Sequence, residues 1–472
     1  MRAVPPEALP VEVEEVAHFH VPMPDGRRLA ARRWAPKDAA TRPVPAILEY
    51  LPYRKRDGTA ERDALTHPYL AGHGYACVRV DIAGTGDSEG LFDDEYSEQE
   101  MRDGEAVIAW IAAQPWCSGA VGMTGISWGG FNGLQLAARR PPALKAVVSI
   151  CSSADRYADD IHYKGGCLLG ENLGWAATVL GWFALPPDPQ TFGDGWREAW
   201  QARLEATPFL AADWTRRSAR DDYWRFGSVC EDYGAIEAAV LAVGGWHDGY
   251  RNTPFKLLEN LEAPCKAILG PWNHKYPHFA RPGPTIGFLQ EVLRWFDRWL
   301  KHEDNGAESD PALRAWLMDG LPPAPNYDER PGRWIAEAAW PAASVERRSL
   351  TLTRDGLAPQ AERAAPFART VASGTECGGM TGEFFPFGFG PGELPGDQRP
   401  DDAYSACFDA EPAAAATDLL GAPMVRLSLR CDRPRGQVIL RLCDVAPNGA
   451  SALISHGMLD LRHADGHADP RD

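Results

Sequence analysis

No C-x-x-C pair occurs among the ten cysteines, which are spread singly from Cys77 to Cys443. That spacing argues against a zinc site or a disulfide framework and suits small buried hydrophobes in a reducing cytoplasm. No apolar run approaches the roughly 20 residues that span a bilayer. The acidic, proline-bearing stretch from Met1 to His20 has no basic segment leading into an apolar one, so no signal peptide is read there. Positive charge is also in deficit: 48 Lys and Arg against 65 Asp and Glu leave a formal net charge of −17. A surface of that sign repels phosphate backbones and anionic lipid, so neither nucleic acid nor membrane is expected as a partner, and a cytoplasmic location is expected. No repeat with a period of about 20 to 50 residues is visible, which removes solenoids and propellers.

What is present is a chain of 472 residues, long enough for about three domains, with 44% hydrophobic residues to fill their cores. Short apolar runs at Val44 to Leu51, Tyr75 to Ile82, Ala120 to Thr124 and Leu144 to Cys151 read as buried strands. Between them Glu61 to Gly72, Glu98 to Gln114 and Gly129 to Arg140 have helical apolar spacing. Strand and helix in alternation imply a doubly wound, mostly parallel α/β sheet covered on both faces. The rhythm breaks over 153–236, where six tryptophans from Trp175 to Trp224 and the Pro186 to Pro189 punctuation read as a helical insertion. It returns with strands at Ala238 to Gly245 and Lys266 to Gly270 and a strong amphipathic helix from Ile286 to Lys301, giving α/β segments at 1–152 and 237–302. After a polar linker from His302 to Pro311, residues 312–472 read as all-β. Val425 to Cys431, Val438 to Leu442 and Ala452 to Leu461 are expected strands of an antiparallel sandwich that looks short of strands.

The sharpest local signal is Gly125-Ile126-Ser127-Trp128-Gly129, placed between an expected strand and an expected helix. This is the G-x-S-x-G nucleophile elbow, in which flanking glycines permit a turn so tight that the serine hydroxyl is lifted clear of the sheet. A serine hydroxyl is a weak nucleophile and needs a histidine to take its proton and an acid to orient that histidine, in the chain order serine, acid, histidine. Asp248 follows the strand ending at Gly245, and His274 follows the strand ending at Gly270. Each stands just past a strand's carboxyl end, where open parallel sheets gather their ligands. Asp248 is therefore read as the orienting acid and His274 as the base, ahead of His247 and His278, while His162 reads as a structural or pocket residue. The backbone N–H of Trp128 is one oxyanion donor by position. Tyr53, in the loop Leu51-Pro52-Tyr53-Arg54-Lys55, offers a neutral hydroxyl where a second donor is needed, although a tyrosine there is more often a packing residue. Gly84 to Gly90 resembles a dinucleotide loop but reads as a structural turn, because Glu89 stands where the third glycine belongs. No cofactor and no metal are expected.

Taken together, Leu51 to Lys55, Asp81 with Gly84 to Gly90, Gly125 to Gly130, Gly244 to Tyr250 and Gly270 to His274 resemble the cocaine esterase and X-Pro dipeptidyl-peptidase family of α/β-hydrolases. Gly396 to Arg399 and Leu442 to Pro447 are similar to that family's C-terminal jelly roll. The resemblance implies Ser127, Asp248 and His274 as a catalytic triad, Tyr53 and the Trp128 amide as the oxyanion hole, and a helical cap over 153–236. It implies a serine hydrolase acting on an acyl ester, an amide or a short peptide. Two departures stand out. Family members usually continue past the point where this chain stops, so the jelly roll is expected to be incomplete, and Ala83 stands where an arginine is common. Gly129 and Gly130 occupy the stretch where α-amino ester hydrolases look to carry a carboxylate for the substrate ammonium, which favours an uncharged acyl group. Asp155, Asp159, Asp160 or Glu171 leave Xaa-Pro dipeptidyl-peptidase activity open as the alternative. A non-catalytic ligand-binding protein is the competing class, and a homo-oligomer is left open.

Overall fold

The computed structural model describes residues 8–360 and 365–471, so residues 1–7 of the acidic N-terminal stretch lie outside it. β1 (Val13–Pro22) and β2 (Arg28–Pro36) form an antiparallel hairpin. Then β3 (Val44–Leu51), α1 (Ala60–Gly72), β4 (Ala76–Asp81), α2 (Glu98–Ala112), β5 (Cys117–Ile126), α3 (Trp128–Ala138) and β6 (Leu144–Ile150) alternate as the apolar pattern requires. A two-residue hairpin, β7 (Tyr163–Lys164) and β8 (Cys167–Leu168), opens the insertion. It continues with α4 (Glu171–Phe183), α5 (Pro189–Phe192), α6 (Trp196–Ala206), α7 (Leu210–Arg216) and α8 (Asp222–Arg225). The chain returns through β9 (Ala239–Gly245), α9 (Thr253–Asn260), β10 (Cys265–Gly270) and α10 (Phe288–Leu300) to β11 (Leu313–Met318) and β12 (Gly332–Glu337).

These strands make one ten-stranded sheet in the order β1-β2-β4-β3-β5-β6-β9-β10-β11-β12. From β4 across to β11 the pairing is parallel, and the antiparallel strands lie at the two edges. Parallel strands covered on both faces must be apolar on both faces, and β3, β4, β6 and β9 are buried almost throughout. Leu48, Val78 and Val147 belong to one core, whereas Ile47, Cys77 and Val148 belong to another on the opposite face. The second core is closed by α10, whose buried Phe288, Val292, Trp295, Phe296 and Leu300 recur at helical spacing.

The β pattern expected from Ala312 onward begins with two strands that join the main sheet: β11 continues it in parallel and β12 closes its edge. The remainder carries two separate antiparallel pairs, β13 (Leu350–Leu352) with β14 (Leu357–Pro359) and β15 (Gln437–Val445) with β16 (Ser451–Asp460), plus a single turn of helix, α11 (Arg399–Asp402). Two of the expected strands are therefore present as a hairpin. Val425 to Cys431 is not in a ladder. Its alternation supplies an apolar face, but among the described residues no neighbouring strand takes its backbone groups, and Val425, Leu427 and Leu429 are exposed. Periodicity marks a strand-competent segment, and the ladder itself needs a partner. The Asp460 backbone N–H, at the end of β16, donates to Gly165 of the cap hairpin at 2.9 Å, which ties this region to the insertion.

Candidate active site

Register gathers the candidate residues at one rim. Ile126 pairs with Ile150, Ile150 with Val243, and Gly245 with Gly270, so β5, β6, β9 and β10 end side by side. Ser127, Asp248 and His274 therefore emerge from neighbouring strands at their carboxyl ends, the position at which open α/β sheets bind ligands.

Ser127 sits at φ 58, ψ −124, between β5 and α3, a conformation that β-carbon-bearing residues rarely adopt. Its N–H donates to Ile150 O at 2.9 Å, and its carbonyl accepts from Gly130 and Phe131 as α3 begins. A Cβ at position 125 would lie 2.7 Å from the Gly129 backbone, and one at 130 would lie 2.8 Å from Ile150 O. Glycine at both positions is what lets strand and helix approach closely enough to make the elbow.

Asp248 is fully buried, and its Oδ1 lies 2.9 Å from His274 Nδ1. His274 is held by a distant segment: its backbone N–H donates to Pro386 O at 3.0 Å. Its ring is flanked by Phe385 at 4.5 Å, Phe387 at 5.5 Å and Tyr250 at 5.9 Å. Among the described residues no hydrogen bond joins Ser127 Oγ to His274. The rival histidines are half-buried. Burial pushes His278 down to about 4 and His247 down to about 3, and the His278 ring stacks on Phe288.

Tyr53 follows β3 and is half-buried at the rim. Burial pushes its phenol pKa well up, against the pull of Ser127 and the Trp128 backbone amide beside it, so the hydroxyl is a neutral donor next to the candidate nucleophile. Its loop is pinned from below. The Lys55 N–H donates to Asp81 Oδ1 at 2.7 Å, and the Gly84 to Gly90 turn, with Gly86 at φ 50 against Asp81, packs around the same carboxylate. Arg203 of the insertion donates to Gly86 O at 2.9 Å and Ser88 O at 2.6 Å. The glycine turn is structural, and it anchors the cap.

Trp128 is held through its side chain. Its indole donates to Glu100 Oε1 at 2.6 Å, and Asn132 Nδ2 donates to the same oxygen at 2.8 Å. Aromatics of the insertion pack against Tyr53, with the Trp182 ring at 4.7 Å and the Trp175 ring at 6.5 Å. His162 is a structural link: its Nε2 lies 2.8 Å from Glu95 and its Nδ1 2.9 Å from Asn172. Sequence reasoning missed Glu100 and the Phe384 to Phe389 strap. Only the strap left a trace, a dense aromatic run outside any periodic segment.

Two trios bring metal-capable atoms within 4.8 Å of one another. Glu49, Asp63 and His67 already hold a cation, since Arg62 lies 2.8 Å from both carboxylates and Arg79 3.4 Å from Asp63. The other trio is Cys151 with Asp248 and His274.

The sheet order, the elbow and the Asp–His pair define an α/β-hydrolase. The chain belongs to the X-Pro dipeptidyl-peptidase (S15) family, whose profile matches residues 25–276, and the profile of the X-Pro dipeptidyl-peptidase C-terminal non-catalytic domain matches residues 305–472. It is an enzyme of the serine hydrolase type. The cocaine esterase of Rhodococcus sp. (strain MB1 Bresler) is 27% identical over 498 residues, covering 95% of this chain and 83% of that protein. The Xaa-Pro dipeptidyl-peptidase of Lactobacillus delbrueckii subsp. lactis is 26% identical over 412 residues, covering 80% of this chain but 48% of that protein. Among solved structures, an α-amino acid ester hydrolase superposes with a TM-score of 0.68 at 18% identity, covering all of this chain and 85% of its own. No helix among the described residues is long and apolar enough to cross a membrane.

Proposed function

We propose that the chain hydrolyses uncharged acyl esters or amides through a Ser127–His274–Asp248 triad, beneath a cap formed by 153–236. The observation that carries this reading is the 2.9 Å contact between the buried Asp248 carboxylate and His274 Nδ1, on the rim that also presents Ser127 at the apex of a strained turn. Asp248 fixes the imidazole so that Nε2 is free to take the Ser127 proton as Oγ bonds to the substrate carbonyl carbon. The carbonyl oxygen, now negative, is met by the Tyr53 hydroxyl and the Trp128 N–H. Collapse breaks the bond to the alcohol or amine, which leaves with the proton from His274. Water then repeats the sequence on the acyl-enzyme: His274 takes its proton, the acid is released and Ser127 regains its hydrogen.

The preference for an uncharged acyl group rests on how the buried acids near the pocket are engaged. Asp159 is neutralised by Lys164 at 2.8 Å and Lys256 at 3.1 Å. Glu95 is held ionised, despite its burial, by His162 and Arg156. Asp155 accepts from the backbone N–H groups of Tyr157 and Ala158. Asp160 favours the second reading, dipeptidyl-peptidase activity. Its Oδ2 is buried without a partner among the described residues, and burial pushes it up to about 7, so a substrate ammonium would have to recharge it. A fluorophosphonate probe tests the triad: labelling of the chain that is lost in Ser127→Ala supports it, and labelling that persists overturns it. Turnover of p-nitrophenyl butyrate above that of Ala-Pro p-nitroanilide supports the ester reading, and the reverse order supports the peptidase.

A further inference from the structure

Cys151 takes no part in the steps above, yet it is built against their acid. It closes β6 at φ 47, and its N–H donates to Val243 O at 2.8 Å, which fixes it over the end of β9. The side chain is 3% exposed, and its Sγ, an Asp248 carboxylate oxygen and a His274 ring nitrogen all lie within 4.8 Å of one another. Asp248 Oδ1 is committed to His274, and the Asp248 backbone carbonyl accepts from Arg251 at 3.2 Å. Oδ2 is buried and, in the conformation observed, has no hydrogen-bond partner, sulfur included, among the described residues. A buried carboxylate oxygen left bare is destabilising by more than an ordinary hydrogen bond contributes, so a donor this close has a purpose to serve.

We propose that the Cys151 thiol is the second donor to Asp248, directing S–H at Oδ2 and so holding the carboxylate with Oδ1 facing His274. This rests on the triad reading above and makes Cys151 a positioning residue. Burial, then the neighbouring Asp248 charge, pushes the thiol well up in pKa, so it keeps the hydrogen the role needs. The other polar groups facing the pair are the Tyr250 hydroxyl, the Arg251 guanidinium and the Lys275 backbone N–H.

The test is the full chain carrying Cys151→Ala, Cys151→Val or Cys151→Ser, assayed with p-nitrophenyl butyrate from about pH 5 to about pH 9. Without the thiol donor the carboxylate charge falls more heavily on the imidazolium. The acid limb of kcat/KM should rise by about half a unit, and kcat should fall about tenfold with KM within about twofold. Valine fills the space without donating, so it gives the same readout should the alanine variant be unstable, and serine should restore both quantities. An acid limb and kcat unchanged in Ala and Val, or a serine variant that tracks them, would overturn the proposal. Failure of the triad itself would be seen separately, as undiminished turnover in Ser127→Ala.

Discussion

Replacing Glu100 by Gln should make the protein more resistant to alkali than its parent. Glu100 is buried on α2, and its Oε1 accepts from the Trp128 indole and Asn132, while Oε2 has no partner among the described residues. Burial pushes its pKa up to about 8 from the ordinary 4.5, against the pull of those two donors. A carboxyl with a raised folded pKa stabilises the fold fully below its unfolded value, and that contribution is lost as pH rises through the folded value. At about 1.36 kcal/mol per unit, the parent loses about 3 kcal/mol of stability between about pH 6 and pH 9 from this group alone. Glutamine keeps an acceptor oxygen for Trp128 and Asn132 and cannot ionise. Other titrating groups are common to both proteins and cancel in the difference. Urea unfolding followed by tryptophan fluorescence at both pH values measures it: Glu100→Gln should gain about 3 kcal/mol on the parent over that interval. Parallel stability curves would show that Glu100 is ionised in the native state and would refute the reasoning.

Tyr53→Phe should lower kcat by about 10²- to 10³-fold with KM little changed, because the hydroxyl is engaged when the oxyanion forms. Steady-state ester kinetics check it, and an equal rise in KM without loss of kcat would remove Tyr53 from the oxyanion hole. Asp248→Asn should lower kcat by about 10³-fold or more while leaving the chain folded, since the amide occupies the same space but orients the wrong tautomer of His274. Single-turnover acylation monitored beside circular dichroism separates that outcome from unfolding.

How much of this was legible beforehand follows from what each feature depends on. The strands β3, β4, β5, β6, β9 and β10 and the helices α1, α2, α3 and α10 were visible because a doubly covered parallel sheet needs unbroken apolar runs and apolar helix faces, and that demand is local. The elbow was visible for the same reason: Gly125, Ser127 and Gly129 are required by one turn. The β1–β2 hairpin was not read, since as an edge pair it is apolar only in part and alternates imperfectly, with a register shift between Val16 and Phe19. Nor was the assignment of β11 and β12 to the main sheet, because a strand's pattern shows that it needs a partner and is silent on which one. Val425 to Cys431 is the converse, a pattern without a ladder.

The candidate site divides along the same line. Ser127, Asp248 and His274 lie in loops that must follow strands, so position along the chain located them. Glu100 is an acid in the first turn of an otherwise ordinary helix, where acids are common, and Cys151 is one cysteine among ten. Each matters only because three-dimensional register sets it beneath Trp128 or beside Asp248. The groups proposed to do chemistry are thus placed by local rules, whereas those that hold them are placed by which strands become neighbours. That is why a substitution at Cys151 or Glu100 tests the fold's contribution to the site more directly than one at Ser127.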